Sequence, residues 1–448
     1  MPDDYGAVGD TDTIYKFTRG DQRAPAPSPR ALRRDLGLWT TTLAGVGVII
    51  GAGIYVLIGV VAGVAGNAVW LSFLVAGIVA ALTGASYARF AAIRPLDSPE
   101  FQYTRMAFGP RVGFLMGWLT IWADLVAAAV VALGFGAYLE HITGVEATYG
   151  ALGLVTVMSV FALWGITQSM RLAVLFTLVE VGGLLLVAVS GVGWWGSVDY
   201  LEMPKGLGGV WTGAALAFFA YLGFDELGNL AEETRDPRKT LPKALGLAVA
   251  ISTALYLLVG ISAVSVVGWA ALHASEAPLA LVMSEALGSR AADLLSVIAL
   301  VATANTVLLL LIAASRSLYG MASAGVLPAR LATIGKGGTP WLASSLVLAM
   351  VASFVLFGEL EGVAKLADAT VLVPFLAVNL GLFWMLRSQR HGWLRLITNA
   401  LMPLAGALLC SLLFLRTGWV SMAAVAALAI IGGVLSRWIR PKEPTEAS

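Results

Sequence analysis

Between Leu36 and Ala88 the sequence contains no Asp, Glu, Lys or Arg, and this uncharged stretch is long enough for two membrane spans and a turn. A transmembrane helix needs about 20 consecutive apolar residues. The whole chain follows the same pattern, because 58% of its residues are hydrophobic, 12% are charged and its mean hydropathy is +0.85. Soluble domains carry about twice that charged fraction. We therefore expect an all-α integral membrane protein.

Apolar stretches of about 17–25 residues recur along the chain, and they predict twelve transmembrane helices. With a cytoplasmic N-terminus, 24 of the 28 Lys and Arg residues fall on the inner side, as the positive-inside rule expects. The same rule predicts that both termini are inside, and we expect a multi-pass protein of the cytoplasmic membrane. The predicted spans are 39–64, 68–92, 112–139, 150–167, 172–195, 210–231, 243–268, 291–322, 340–357, 366–386, 395–415 and 418–437.

Two of these spans carry sequences that favour an interrupted helix. Gly51 and Gly53 lie in the middle of span one, and each glycine weakens a helix by about 1 kcal/mol relative to alanine. A second break is predicted at 219–225 in span six. Non-helical backbone at membrane depth is tolerated only where protein or a wet cavity satisfies its N–H and C=O groups. Paired interruptions in two halves of a chain indicate the binding site of a secondary transporter.

The two predicted breaks have complementary chemistry. Unwound backbone in span one would present N–H groups and the positive end of a half-helix, which suit a carboxylate. Carbonyl groups freed in span six would suit an ammonium group. Together they predict a site for a zwitterionic α-amino acid at the bilayer midplane. The alternative is that the glycines only allow close packing of continuous helices.

Three motifs resemble those of the amino acid–polyamine–organocation superfamily. Span one reads Gly45-Val-Gly-Val-Ile-Ile-Gly-Ala-Gly-Ile-Tyr55. The motif of span six starts with Phe218-Phe-Ala-Tyr-Leu-Gly-Phe-Asp225 and continues to Pro242. The motif at the end of span eight is Ser315-Arg-Ser-Leu-Tyr-Gly-Met-Ala-Ser-Ala-Gly-Val-Leu-Pro328. The resemblance covers Leu36 to about Arg387 and fits spans eleven and twelve by count. It departs from the family at Ser98-Pro-Glu-Phe101, where Gly-Gly-x-Tyr is usual.

The resemblance implies a LeuT-type fold with two inverted five-helix repeats. The first repeat would occupy 36–200 and the second 201–390, followed by two further helices at 391–438. Residues 1–35 would form a disordered cytoplasmic tail, and residues 439–448 a second cytoplasmic tail. The resemblance also implies substrate contacts, with Phe219 as an aromatic gate. These contacts are Ile49, Gly51, Ala52 and Gly53 in span one, and Phe219, Ala220 and Leu222 in span six.

Asp124 is an acidic residue inside the apolar span three. A charged side chain at mid-membrane depth costs about 2.5–3.5 kcal/mol on insertion scales, so it normally faces the bundle interior. The resemblance places Asp124 on the substrate-facing side, where it would pair with the cationic side chain of lysine, arginine, ornithine or a polyamine. Two other interpretations stay open, namely an acid that remains protonated until its surroundings change, and a hydrogen-bonded acid that only connects spans.

Three further positions are candidates for ion coupling. Glu180 lies in span five, where some proton-coupled relatives carry a lysine. Its carboxylate would carry the coupled proton or help to coordinate Na⁺ beside Thr303 and Thr306 of span eight, and the proton is favoured because the sequence shows no complete cation cage. A structural hydrogen bond is the alternative for Glu180. Asp225 would cap the inner half-helix of span six, and its family position also makes it a candidate proton-sensitive residue.

The remaining sequence features reduce the range of functions to be considered. The sequence contains no Walker motif and no metal-ligand spacing, and its single cysteine, Cys410, is expected to be a buried core residue. We therefore expect no cofactor and no metal. A net charge of +1 gives no reason to expect a nucleic-acid partner. The segment 270–288 is too polar to span and is predicted to form short outer helices, either as a lid or as a connector.

These observations predict a permease, not an enzyme, that moves amino acids across the cytoplasmic membrane by alternating access. Its partners would be a small-molecule substrate, the lipid bilayer, and protons in preference to sodium. The substrate would be a cationic or small neutral amino acid. Polyamine transport, exchange of an amino acid for an amine, and a transporter-like receptor without flux are the alternatives.

Overall fold

The fold is taken from a computed structural model that describes residues 36–93, 99–164, 170–225, 227, 234–323, 327–335, 338–387 and 392–438. Within these ranges the ordered secondary structure is helical, apart from one isolated parallel bridge that pairs Leu36 with Thr234. The two predicted tails and most of the predicted inner half-helix of span six lie outside the described residues.

The helices follow one another with short connections, and several begin with proline or end at a glycine of positive φ. In chain order they are α1 Leu38–Ile49, α2 Gly53–Ala65, α3 Val69–Ile93, α4 Pro99–Phe108, α5 Pro110–Thr143, α6 Ala147–Leu163, α7 Met170–Ser190, α8 Gly206–Phe218, α9 Pro237–Ala274, α10 Pro278–Leu287, α11 Ser289–Ser323, α12 Trp341–Phe357, α13 Leu360–Leu386, α14 Trp393–Leu396, α15 Met402–Arg416 and α16 Trp419–Trp438.

Eight helical segments in the described part of the chain are long and apolar enough to cross a membrane by length and composition. Seven of them each correspond to one predicted span, and the eighth, Gly53–Ala91, combines the second half of span one with span two. The first half of span one and the predicted spans four, six and nine coincide with shorter apolar helices. The count of twelve and the inverted repeat therefore remain predictions.

The first and sixth predicted spans are both interrupted. α1 ends at Ile49 and α2 begins at Gly53, with the turn at 50–52 between them. α8 ends at Phe218 and is followed by one 3₁₀ turn and then by Leu222, whose φ of −57° and ψ of 143° are extended. Gly223 has a φ of +106°, which is in the left-handed region that favours glycine. We call the bundle end that carries Leu36 the near end, and the opposite end, where α2 ends, the far end.

A buried polar cluster joins α3, α13 and α15. Asn379 donates to Thr83 Oγ1 at 3.1 Å and accepts from Ser86 Oγ at 2.7 Å. Cys410 is fully buried beside this cluster, with its Sγ 3.5 Å from Thr83 Oγ1, which confirms the prediction of a buried core cysteine. Interhelical hydrogen bonds of this kind hold membrane helices together where lipid offers no alternative partner.

The segment 270–288 is largely helical and covers part of the far end. α9 kinks at Gly268, where φ is +74°, and continues to Ala274, after which α10 begins at Pro278. Leu279 and Met283 of α10 are fully buried, and His273 Nδ1 lies 3.3 Å from the carbonyl oxygen of Gly59 in α2. These helices therefore pack against the half-helix of span one that leads to the far end.

Candidate substrate site between two broken helices

The two helix breaks touch each other directly. A Cβ atom added to Gly53 would lie 2.5 Å from the Cα of Ala220 and 3.0 Å from its Cβ. On the other side of the contact, a Cβ atom added to Gly223 would lie 2.8 Å from Cγ1 of Val48 and 2.9 Å from its carbonyl oxygen. Since real Cβ atoms do not approach other atoms so closely, both positions need glycine for this contact. The predicted breaks in spans one and six thus form one structural unit.

A single tyrosine hydroxyl connects the backbones of the two breaks. Tyr256 of α9 directs its hydroxyl group to the carbonyl oxygen of Ile49 at 2.9 Å and to that of Ala220 at 2.8 Å. Both carbonyls lie where regular helical bonding stops, and a buried carbonyl without a partner costs about 1–3 kcal/mol. The Tyr256 side chain is fully buried. Its one hydroxyl proton is shared between the two carbonyls, so this side chain links the two breaks and partly replaces their lost helical hydrogen bonds.

Three more buried tyrosines donate to backbone carbonyls around the breaks. Tyr55 donates to the carbonyl of Glu180 at 2.6 Å, and Tyr138 donates to the carbonyl of Tyr55 at 3.0 Å. Tyr221, in the 3₁₀ turn of the second break, donates to the carbonyl of Phe73 at 2.8 Å. Buried tyrosines usually find such a partner for the hydroxyl group. Tyrosine hydrogen bonds therefore connect the interrupted segments to α3, α5, α7 and α9.

The seven predicted substrate contacts lie together in this region. Ile49, Ala52, Phe219 and Ala220 are buried, with exposed fractions between 0% and 6%. Gly53 is also buried, whereas Gly51 and Leu222 are half-buried. The start of α2 carries the positive end of a helix dipole and the end of α8 carries a negative end. The arrangement can therefore offer N–H groups to an anionic group and carbonyl groups to a cationic one.

The threonines predicted for ion coupling lie on α11, beside the first break. Thr306 Oγ1 accepts a hydrogen bond of 3.4 Å from the backbone N–H of Ala52 and donates to the carbonyl of Ala302 at 3.0 Å. Thr303 is fully buried, and its hydroxyl donates to the carbonyl of Ala299 in its own helix at 2.7 Å.

Glu180 of α7 lies close to the same surface of α11. Its side chain is 2% exposed and faces the side chain of Asn305, while its Oε1 atom has no hydrogen-bond partner in the part of the chain that the structure describes. Glu180, Thr306 and the break at Ala52 are thus connected through one helix. Among the described residues, no group of three or more His, Cys, Asp or Glu could hold a metal ion.

The other two predicted acids have different surroundings. Asp124 of α5 is half-buried and takes part in a hydrogen-bond or electrostatic contact within the bundle. Asp225 is also half-buried, and its Oδ1 atom accepts a hydrogen bond of 3.1 Å from the backbone N–H of Gly223. This bond stabilises the turn of the second break. The N–H groups that Asp225 was expected to cap belong to 226–231, which lies almost entirely outside the described residues.

An aromatic cluster lies between the second break and the near end. Phe375 of α13 contacts Phe218 and Phe224, with ring centroids 6.0 Å and 5.1 Å away, and thereby touches both sides of the break. Tyr87 of α3 completes the cluster, 5.5 Å from Phe375 and 5.8 Å from Phe224. Sequence reasoning did not identify this cluster, because its members are distributed over three separate spans and have no common spacing.

A buried acid from α4 supports the aromatic cluster. Tyr87 donates to Glu100 Oε1 at 2.7 Å, and the Glu100 side chain is only 5% exposed. Tyr103, also in α4, stacks on Phe90, and burial together with the nearby Glu100 carboxylate raises the pKa of its hydroxyl above the ordinary value. The segment at 98–101, where the sequence departs from the family motif, thus contributes an acid to the packing at the near end.

Asp368 of α13 is a second acid that sequence reasoning missed. Its side chain is fully buried, and neither carboxylate oxygen has a hydrogen-bond partner within the described ranges. The residue lies near the start of predicted span ten, a position at which an acid can equally well face water. The apolar pattern therefore gave no signal that the fold would enclose it.

Comparisons with known proteins identify the family of this chain. A family model described as amino acid permease matches residues 36–436. A branched-chain amino acid permease of Bacillus subtilis is 28% identical, over 93% of this chain and 95% of the relative. A transporter of Mycobacterium tuberculosis is 30% identical over 91% and 92%, and a vacuolar cationic amino acid transporter of Arabidopsis thaliana is 27% identical over 78% and 63%. The predicted superfamily is therefore confirmed, as is the prediction of a membrane transporter rather than an enzyme.

Proposed function

Since this chain belongs to the amino acid permease family, we propose that it transports amino acids by alternating access and binds them between the breaks of spans one and six. The observation that carries the proposal is the direct contact between the two breaks. Gly53 packs against the backbone of Ala220, and the Tyr256 hydroxyl bonds a carbonyl from each segment. The relatives include a branched-chain amino acid permease and a cationic amino acid transporter, which supports the substrate class.

In this proposal the main chain recognises the groups that all α-amino acids share. The substrate carboxylate lies against Gly51, Ala52 and Gly53 at the positive end of α2, and it replaces Thr306 Oγ1 as the acceptor for the Ala52 N–H. The α-ammonium group lies against the carbonyl groups of Phe219 and Ala220. Because a carbonyl oxygen has two lone pairs, Ala220 can accept from Tyr256 and from a substrate together.

Alternating access requires a closure on each side of the site. At the near end, which we assign to the cytoplasm, the aromatic cluster around Phe375 blocks the path. At the far end, the helices of 269–287 pack on α2, with His273 against Gly59. Opening one closure while the other remains packed would expose the site to one side of the membrane at a time.

We further propose that Glu180 carries a coupled proton. A buried carboxyl group with one unpartnered oxygen can take up and release a proton. Glu180 lies close to α11, and Thr306 of α11 accepts a hydrogen bond from the Ala52 N–H of the first break. A change of charge at Glu180 would therefore alter the electrostatic potential at the end of the substrate site that binds the carboxylate. Coordination of Na⁺ by Glu180 with Thr303 and Thr306 is the alternative mechanism.

Uptake by the reconstituted full-length chain tests these proposals. Proteoliposomes are loaded with an inward proton gradient or an inward sodium gradient, and entry of labelled leucine, alanine and lysine is measured against protein-free vesicles. We expect accumulation of at least one amino acid that requires the proton gradient and is abolished by a protonophore. Accumulation that follows sodium alone would refute proton coupling. Saturable binding without uptake in any condition would refute transport and favour a receptor.

A further inference from the structure

Asp368 is the acid in the described bundle whose surroundings are hardest to reconcile with a structural role. It is fully buried in α13, and neither carboxylate oxygen has a hydrogen-bond partner among the described residues. Burying a charged group without a partner costs several kcal/mol in a folded protein. On the same helix, the equally buried Asn379 bonds Thr83, Ser86 and the carbonyl of Phe375. Polar groups that only join helices are thus satisfied in α13, and Asp368 is not.

Asp368 lies on the same face of α13 as Phe375. Together with buried apolar residues at spacings of three and four, it forms one stripe along α13. The members of this stripe are Ala364, Asp368, Val371, Phe375, Val378 and Leu382, and all are buried.

Phe375 shows what this stripe faces, because its ring contacts Phe218 and Phe224 on the two sides of the second break. Asp368 lies seven residues before Phe375, which is close to two full helical turns. It is therefore on the same face and about 10 Å closer to the far end. At this position it is level with the outer half-helix α8, beyond the break and away from the aromatic cluster of the near end.

A second acid lies on a helix that packs against α13. Ala369, the neighbour of Asp368, belongs to one packed cluster with Trp118 and Trp122 of α5. Asp124 follows Trp122 by two residues, and α5 and α13 are packed against each other. The two adjacent helices thus each carry an acidic residue.

We propose that Asp368 is a specificity-determining residue whose carboxylate receives the cationic side-chain group of a basic amino acid. The inference rests on the proposed function, in which the breaks hold the carboxylate and the α-ammonium group that all amino acids share. A side chain of the lysine, ornithine or arginine type that extends from the breaks toward the far end brings its charge to Asp368. A neutral aliphatic substrate makes no such pair, so the site prefers the basic substrate by the free energy of that interaction.

Competition between basic and neutral substrates tests this inference. Uptake of labelled lysine, arginine and leucine is measured in proteoliposomes that contain the full-length wild type, Asp368→Asn or Asp293→Asn. Asp293 is an exposed acid near the start of α11, so its change removes the same charge at a site without a proposed role. We expect Asp368→Asn to lower kcat/KM for lysine and arginine at least about tenfold, which corresponds to about 1.4 kcal/mol. This variant should take up leucine within about twofold of the wild-type rate. Asp293→Asn should take up all three amino acids within about twofold of the wild-type rate, a factor that corresponds to under about 0.5 kcal/mol.

The possible outcomes separate the inference from the function on which it rests. Equal losses for lysine and leucine, or no loss for lysine, overturn the role of Asp368 and leave amino acid transport standing. Loss of proton-driven accumulation of every substrate, with exchange intact, also overturns it, because Asp368 would then be a proton site. A wild-type protein that moves none of the three amino acids refutes the proposed function itself.

A second variant keeps the inference testable if Asp368→Asn does not fold. Asp368→Glu keeps the charge but moves the carboxylate by one methylene group. We expect it to retain the preference for lysine over leucine while its KM for lysine and arginine changes. If Asp368→Glu leaves the KM of both basic substrates at the wild-type value, the carboxylate does not contact them and the inference is wrong.

Discussion

Gly53→Ala tests the contact on which the candidate site depends. The added Cβ atom would lie 2.5 Å from the Cα of Ala220, whereas non-bonded carbon atoms prefer about 3.5–4.0 Å. The obstructing atom belongs to the backbone, so no side-chain rotation relieves the clash, and the two breaks must separate by about 1 Å. Overpacking of this kind costs about 1–3 kcal/mol. Alanine gains about 0.5–1 kcal/mol over glycine in a helix, which offsets part of that cost.

We expect Gly53→Ala to lower the thermal unfolding temperature of the purified protein. Uptake of its best amino acid substrate should fall at least about tenfold, because a misplacement of about 1 Å in a binding site can cost about a hundredfold in activity. Gly182→Ala is the matched control. Gly182 lies inside α7, is exposed and has no atom within 4 Å of an added Cβ, so this variant should be as stable as wild type or slightly more stable.

The two variants are compared by thermal unfolding in detergent and by uptake into proteoliposomes at equal reconstituted protein. If Gly53→Ala unfolds at the same temperature as Gly182→Ala and transports at the wild-type rate, the breaks are not in the close contact described above. The two breaks would then not form one binding unit, whatever the substrate proves to be.

Three further substitutions address the groups around the breaks. Tyr256→Phe removes the hydroxyl shared by the two breaks. The loss of buried hydrogen bonding should lower the free energy of unfolding by about 1–3 kcal/mol, measured by thermal unfolding, and should weaken amino acid binding at equilibrium. Unchanged binding would count against the role of the hydroxyl. Glu180→Gln should abolish accumulation driven by a pH gradient while substrate exchange continues, and unchanged accumulation would remove Glu180 from coupling. Asp124→Asn should reduce lysine and arginine binding far more than alanine binding if Asp124 pairs with a cationic side chain, and equal losses would contradict that pairing.

Several elements of the site could be predicted from local sequence. Gly51 and Gly53 in an uncharged apolar run, and the corresponding interruption after Phe219, indicated where regular helix would stop. The reason is local, because glycine destabilises a helix wherever it occurs and a membrane span offers few alternatives. Composition likewise sufficed to identify a membrane protein, since burial in lipid requires long uncharged segments whatever their arrangement.

Other elements required contacts between distant parts of the chain. Tyr256 stands in an ordinary apolar span, and only the packing of α9 brings its hydroxyl to Ile49 and Ala220. Glu100 and Asp368 look like acids near the ends of spans, where water is normally available. The fold encloses both, and it gives the Glu100 carboxylate a bond from Tyr87 but gives Asp368 none. No local pattern encodes such a difference, because it depends on which neighbours arrive from elsewhere.

The sequence by itself determined that this chain is helical and hydrophobic, where two of its helices lose their winding, and which family it belongs to. Each of these properties follows from the residue in its own segment, or from motifs that can be read in order. Only the tertiary structure decided that the two breaks touch through Gly53 and Ala220, that tyrosines from other helices satisfy their backbone, and that Asp368 is buried without a partner. These are properties of pairs of atoms hundreds of residues or several helices apart, and they exist only once the helices have packed.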